Sequence, residues 1–120
     1  MIWIYAETEP QPVEERKYLG MRQYTVNYEI EKLGEVEPGY RYRYKSVRLE
    51  PGLWGYDAIV NALVTAEYPS DRMTAIINNY MYNPEDASIK DEWIAMQEWR
   101  AAAKKLAMSI LGDDGMKGGS

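Results

Sequence analysis

The stretch YTVNYEI, from Tyr24 to Ile30, decides how this chain folds. Apolar or aromatic side chains occupy every second position, and Thr, Asn and Glu occupy the positions between them. Because successive side chains of a β-strand point to opposite faces of a sheet, this alternation predicts a strand with one buried face. A second alternating stretch, YRYRYK from Tyr40 to Lys45, follows after EKLGEVEPG, a segment typical of a turn. Together the two stretches predict an antiparallel β-hairpin.

The register of this hairpin follows from matching the two alternations. Antiparallel pairing that places Tyr28 opposite Tyr42 also places Glu29 opposite Arg41, so tyrosines share one face and a carboxylate meets a guanidinium on the other. We therefore expect the tyrosines to cover a core and the cations to face solvent. Beyond Lys45 the apolar positions change phase, which predicts a β-bulge near Lys45–Ser46 or a strand that leaves the hairpin.

The other segments predict one further strand and three helices. The N-terminal IWIY indicates a short, largely buried strand, and the polar, proline-containing ETEPQPVEERK after it indicates a connection. Helical spacing of apolar residues recurs after the hairpin, with Ser70 and Asn83 as expected N-caps and Gly112 as the expected C-cap. The prediction is a single α+β domain over residues 1–112, with an N-terminal antiparallel hairpin or small sheet followed by three α-helices. Its strands are expected at about 2–6, 22–31 and 40–49, its helices at about 55–67, 71–82 and 84–111, and a flexible tail at 113–120.

Composition narrows the possible chemistry. The 120 residues include no cysteine and no histidine, which excludes disulfides, thiol catalysis, cysteine-ligated zinc and the commonest general base. The sequence holds no glycine-rich phosphate loop, nucleophile elbow or metal-binding motif, so it predicts no enzyme, no catalytic residue, no cofactor and no metal site. A carboxylate-dependent hydrolase stays open as an alternative, because two acids at the right separation can hydrolyse a glycoside. None of the 19 acidic residues stands out as such a pair.

Charge and hydropathy limit the partners. The net charge of −5 argues against broad affinity for nucleic acid or for an anionic membrane surface. No apolar run reaches the length of a bilayer, and the N-terminus lacks the pattern of a secretory signal, so we expect a cytoplasmic protein. The cations Arg41, Arg43 and Lys45, with Arg48 beyond them, still form a candidate nucleic-acid face, which gives a nucleic-acid-binding accessory protein as a second alternative.

Protein partners are the leading hypothesis. The chain has 11 tyrosines and 4 tryptophans but no phenylalanine, a composition that suits half-buried positions and interfaces. On the third predicted helix, Ile94 and Met108 lie off the apolar stripe, and Trp99 lies at one shoulder of it. These three residues form the candidate interface, for a protein partner or a homodimer. A small-molecule ligand stays unknown, because Asn78, Asn79 and Tyr80 suit either a sugar-binding surface or the end of a helix.

Three stretches together resemble a known group of proteins. YRYKSVRLEPGLWGYDAIVNALVTAEY, DRMTAIINNYM and DEWIAMQEWRAAAKKLA resemble small uncharacterised proteins of gut bacteria of the Bacteroides group and of their prophages, over about residues 14–111. The stretch MQEWRAAAKKLAMSIL is also similar to the C-terminal helix of phage tail-fibre assembly chaperones. The resemblance brings no catalytic residue with it. It implies a role in virion assembly or as a small accessory component that acts through protein contacts. If the chain is phage-derived, the resemblance implies that it is associated with the virion.

Overall fold

The computed structural model describes residues 2–34 and 40–119, with side chains described as far as Gly112. Within these ranges an antiparallel sheet of four strands precedes three helices, which confirms the predicted α+β class. The strands are β1 (Ile4–Ala6), β2 (Val13–Tyr18), β3 (Met21–Lys32) and β4 (Tyr42–Arg48), and the helices are α1 (Tyr56–Glu67), α2 (Ser70–Tyr82) and α3 (Ala87–Gly119). Part of the predicted turn, residues 35–39, lies outside the described residues.

The sheet has the order β1-β4-β3-β2, so the predicted hairpin forms its centre. Strand β2 occupies part of the segment that the sequence predicts as a connection, and that prediction is wrong there. Its sequence, VEERKY, shows no apolar alternation because nearly every side chain of this edge strand is exposed. What holds β2 is its ladder to β3 and the two-residue turn at Leu19-Gly20, where both residues have positive φ (51° and 79°).

The register of the central pair differs from the predicted one. Tyr28 lies opposite Lys45, not opposite Tyr42, and Glu31 lies opposite Arg43. Between these pairs two residues of β3 oppose a single residue of β4, so the bulge lies in β3 rather than at Lys45–Ser46. Its first residue, Glu29, has a φ of 50°.

This register decides which face of β4 meets the helices. Residues directly opposite each other in an antiparallel pair point to the same side, and Tyr28 faces the helices because its ring packs on Trp99 of α3, 5.6 Å away. Lys45 therefore faces the helices as well, and Tyr42 and Tyr44 point to the other face. The expectation that tyrosines cover the core is right for Tyr28 and wrong for these two residues of β4.

Strand β1 also differs from expectation. It lies at the sheet edge, and its residues Ile4 and Tyr5 are exposed rather than buried. Ile4 pairs with Tyr44 and so points away from the helices. A short edge strand with one solvated face accounts for this exposure.

The core lies between the helix-facing side of the sheet and the pair α1 and α3. Trp99 donates its Nε1 hydrogen to the carbonyl oxygen of Leu63, 3.0 Å away, which satisfies the polar atom of a ring lying against the core. The predicted apolar stripe of α3 is confirmed. Tyr80 of α2 stacks on Trp93 of α3, with the ring centres 4.3 Å apart. The fully buried members of the core include Val26, Ile59, Leu63, Ala103 and Ala107.

The N-termini of two helices correct two predictions. Asp86, not Asn83, caps α3, because its Oδ1 accepts hydrogen bonds from the Ser88 hydroxyl and the Ile89 N–H. These bonds hold the pKa of Asp86 below its usual value. Ser70 is the first residue of α2 and makes no side-chain cap.

Gly112 interrupts α3 with a φ of 70°, at the position where the sequence predicts the helix to end. Beyond this break the backbone has helical geometry to Gly119. That residues 113–120 form a flexible tail stays a prediction.

The two tyrosine positions give a direct test of the register. Tyr28→Ala should lower the free energy of unfolding by about 3 to 5 kcal/mol, because it empties a buried position of the core. Tyr42→Ala should cost about 1 kcal/mol or less, because Tyr42 is half-buried on the face away from the helices. Urea unfolding of both variants measures the difference, and equal losses would contradict the observed register.

Candidate functional site

Lys45 is held by two carboxylates at the junction between the bulge of β3 and the last turn of α1. Its Nζ lies 3.0 Å from Glu29 Oε2 and 3.2 Å from Glu67 Oε1, and Glu67 Oε1 also accepts a hydrogen bond from the Tyr28 hydroxyl at 3.1 Å. Burial lowers the pKa of Lys45, but the hydrogen bonds that its ammonium donates to the two carboxylates raise the pKa by more, so the pKa lies above its usual value. Lys45 is therefore a charged, doubly paired group at neutral pH.

Arg43 is paired in a similar way. Its Nε donates to Glu31 Oε2 at 2.6 Å, and its guanidinium lies 4.1 Å from the ring centre of Trp3. The Lys45 ammonium lies over the same ring, 4.9 Å from its centre. Two cations of the predicted nucleic-acid face are thus already occupied by carboxylates and an aromatic ring.

The other two cations of that face lie elsewhere. Arg41 is exposed just before β4, where its backbone N–H donates to the carbonyl of Ala6. Arg48 is exposed at the opposite end of β4, one position out of phase with Lys45, so it points away from the helices. The fold does not bring these cations together into one stripe along a strand.

A cavity of about 190 Å³ lies beside Lys45, which is smaller than the usual small-molecule pocket. Glycoside hydrolysis needs one carboxyl group that donates a proton and a second that attacks or activates water. Glu29 and Glu67, the acids that the fold brings together here, both contact Lys45 instead. The geometry adds no support to the hydrolase alternative. The lining residues are Glu29, Lys45, Glu67, Tyr68, Arg72 and Trp99.

The three candidate interface residues of α3 have different environments. Trp99 points inward, where it packs on Tyr28 and binds the Leu63 carbonyl. Ile94 is half-buried. Met108 is exposed and stays available to a partner. The structure therefore does not bring the three together as one exposed surface.

An exposed apolar patch, which the sequence pattern does not predict, lies at the end of the sheet where β2 turns into β3. The loop after β4 reaches this turn, because the Gly52 N–H donates to the Arg22 carbonyl at 2.8 Å. The Met21 sulfur also lies close to Gly52, 3.5 Å from the point that a Cβ would occupy if Gly52 had a side chain. The exposed apolar side chains at this end of the sheet are called the sheet-end patch below: Tyr18, Leu19 and Met21 around the turn, and Leu53 and Trp54 in the loop after β4. The sequence feature that comes closest to predicting this patch is YLGM, which forms the turn between β2 and β3. This stretch can be recognised as a hairpin turn only when β2 is known to be a strand.

A groove of about 370 Å³ runs between β4 and α1 and shares Leu53 with the sheet-end patch. The groove exists because α1 presents small side chains there, among them Ala58, Ala62 and Ala66. Above it, the outer edge of β4 is only partly covered. Strand β1 pairs with Tyr42–Tyr44, and no described strand lies on that side of Ser46–Arg48.

The described part of the chain offers no cluster of three or more acidic side chains placed to hold a metal ion. None of the helices described combines the length and the apolar character needed to cross a bilayer.

The Tyr28 hydroxyl predicts a pH dependence of stability. Burial raises the pKa of Tyr28 above its usual value, and the charge and hydrogen bond of Glu67 raise it further. A group with a raised pKa in the folded state stabilises the fold below its unfolded pKa, near 10 for tyrosine, and loses this contribution as pH rises. Between about pH 9 and 11, the unfolding free energy of the wild type should therefore fall more steeply than that of Tyr28→Phe. Urea melts across this range measure the slopes, and parallel curves would refute the assignment.

The pairing of Arg43 and Lys45 predicts weak contact with nucleic acid. At low salt, a labelled single-stranded oligonucleotide should show no specific binding in fluorescence anisotropy, because paired cations and a net charge of −5 release few counterions. An Arg41→Ala/Arg43→Ala double variant should then match the wild type. Tight, salt-dependent binding that is lost in the double variant would restore the nucleic-acid alternative.

Comparison with known proteins yields no family model, no curated protein and no solved structure that matches this chain. The resemblance to Bacteroides-group and prophage proteins therefore stays an expectation from the sequence.

Proposed function

We propose that this chain is a non-enzymatic protein-interaction module that binds its partner through the sheet-end patch. The observation that carries the proposal is Leu19, which is 83% exposed at the tip of the β2–β3 turn. Burial of a leucine side chain contributes about 1.5 to 3 kcal/mol, and this fold leaves that energy unused. Clustered exposed apolar side chains of this kind mark protein interaction sites.

The backbone at Leu19 strengthens this argument. Its φ of 51° lies in the left-handed region, which glycine, asparagine and aspartate adopt at lower cost than leucine. A solvated leucine at such a position gives the fold neither a core contact nor a relaxed turn. A partner that buries its side chain supplies a reason for its presence.

The biological setting of the proposal comes from the sequence resemblance, not from the geometry. Likeness to prophage proteins and to tail-fibre assembly chaperones supports an accessory or chaperone role in virion assembly. Such a protein acts in the cytoplasm of the host cell or as part of the virion. The partner is then another protein of the assembly or a second copy of this chain.

Two leucines and one methionine provide a matched test. Leu19→Ser and Leu53→Ser should each weaken partner binding by about tenfold or more, because each removes apolar area from the interface. Met108→Ser is the control, since Met108 and Leu53 are equally exposed, at 48%. All three variants should keep the wild-type melting temperature, because none of these side chains belongs to the core.

Binding is first measured as retention of proteins from a lysate of cells that carry the gene, quantified by mass spectrometry for each variant. The retained protein is then purified and titrated by calorimetry, and sedimentation equilibrium of the chain alone detects a second copy as the partner. Loss of binding in Met108→Ser alone would move the interface to α3, and equal binding by all variants would reject the sheet-end patch.

A further inference from the structure

We infer that the partner inserts an extended segment beside Ser46–Arg48 as an added β-strand, with apolar side chains in the groove of α1 and an acidic side chain against Arg48. The inference rests on the proposed function, because Leu53 belongs to both the groove and the sheet-end patch. It names the chemical class of the partner segment and the way in which it binds.

The backbone of β4 provides the hydrogen-bonding half of this site. The Leu49 N–H donates to the Tyr24 carbonyl at 2.9 Å, so the backbone of Leu49 faces β3. Backbone groups of an antiparallel strand alternate in direction, so the N–H and C=O of Arg48, and those of Ser46 two residues earlier, point to the outer side. An extended backbone has the spacing to pair with donors and acceptors repeated every two residues.

The chain itself leaves this edge open within the described residues. The ladder between β1 and β4 ends at the pair Ile4 and Tyr44. Ile2 precedes β1 along the same edge, but it lies outside the strand and is 85% exposed. Among the described residues, no strand pairs with Ser46–Arg48 on this side of β4.

The groove defines the side chains of the partner on one face. Val47 and Leu49 form one wall, and Ala58 and Ala62 of α1 form the opposite wall. A strand added at the edge places every second side chain over this groove. Its volume of about 370 Å³ lies at the lower end of the range for ligand pockets, which suits one or two aliphatic side chains.

Charge defines the partner side chain that lies between the two apolar ones and points to the other face of the sheet. The pairing of Arg48 with Thr25 turns its side chain to the face of the sheet opposite Val47, although the residue also borders the groove. Arg48 forms no ion pair with any described residue. An opposite charge directly across from it on the added strand is the favourable cross-strand partner. The segment therefore alternates, with an apolar, an acidic and again an apolar residue.

The first experiment selects the segment from random sequences, so that it does not depend on the identity of the partner. A display library of random linear peptides is panned on the purified full-length chain, and the selected peptides are synthesised and titrated by fluorescence anisotropy. We expect the alternating apolar and acidic pattern among them. In amide hydrogen exchange followed by NMR, the N–H groups of Ser46 and Arg48 should exchange more slowly when a selected peptide is bound.

Substitutions at one position separate backbone from charge. Arg48→Pro removes the outward N–H and leaves the bonds to β3 intact, since proline is tolerated at an open strand edge. Arg48→Pro should lower the affinity for the selected peptides about tenfold or more. Arg48→Ala keeps the N–H and should lower this affinity about threefold. Ala62→Trp fills the groove and should also weaken binding about tenfold. If Arg48→Pro does not fold, Ala62→Trp and the exchange data decide.

The outcomes separate this inference from the proposed function. Failure to select any peptide, or unchanged affinity in both Arg48→Pro and Ala62→Trp, overturns strand addition. If partner capture still depends on Leu19 in that case, the proposed function stands and only strand addition is rejected. Self-association that Arg48→Pro abolishes would make a second copy the occupant and overturn the assignment to a partner segment.

Discussion

The pairing of Tyr28 with Lys45 across the two central strands is the constraint on which the rest of the structure depends. Burial of the Tyr28 ring against Trp99 fixes which face of β3 meets the helices, and the pairing then turns a lysine toward the same side. A partly buried ammonium group needs carboxylate partners, because its desolvation is costly when it is unpaired. Glu67 at the end of α1 and Glu29 at the bulge of β3 supply them. The ion cluster thus ties the sheet, the bulge and the first helix to one register.

The fold class, the three helices and the core stripe of α3 follow from the sequence because their signals are local. The register does not, because YRYRYK alternates on both faces and tyrosine competes with lysine for the helix side. Tyrosine is amphipathic and lysine has a long apolar stem, so either can line a half-buried face when its polar end finds a partner. Glu67, which provides that partner, is 22 residues from Lys45 along the chain, beyond the reach of any local pattern.

The candidate site was harder to predict than the fold. Its parts become visible only when β2 is recognised as a strand, and VEERKY lacks the alternation that marks one, because the edge position leaves its side chains in solvent. The environment of Trp99 also could not be read from the sequence. A large ring at the shoulder of an apolar stripe suits an interface, but the Leu63 carbonyl satisfies its Nε1 hydrogen and allows the ring to pack against the core.

The two edges of the sheet are protected to different degrees within the described residues. Strand β2 carries charged side chains at four successive positions, Glu14 to Lys17, which discourages the approach of another strand. The opposite edge depends on β1, which covers only three residues of β4. Beside the uncovered remainder lie the groove, with Val47 and Leu49 on one wall and Ala58 and Ala62 on the other, and the sheet-end patch. An edge left open next to apolar surface exposes the chain to unwanted pairing, and this cost is explained if a specific partner occupies the edge.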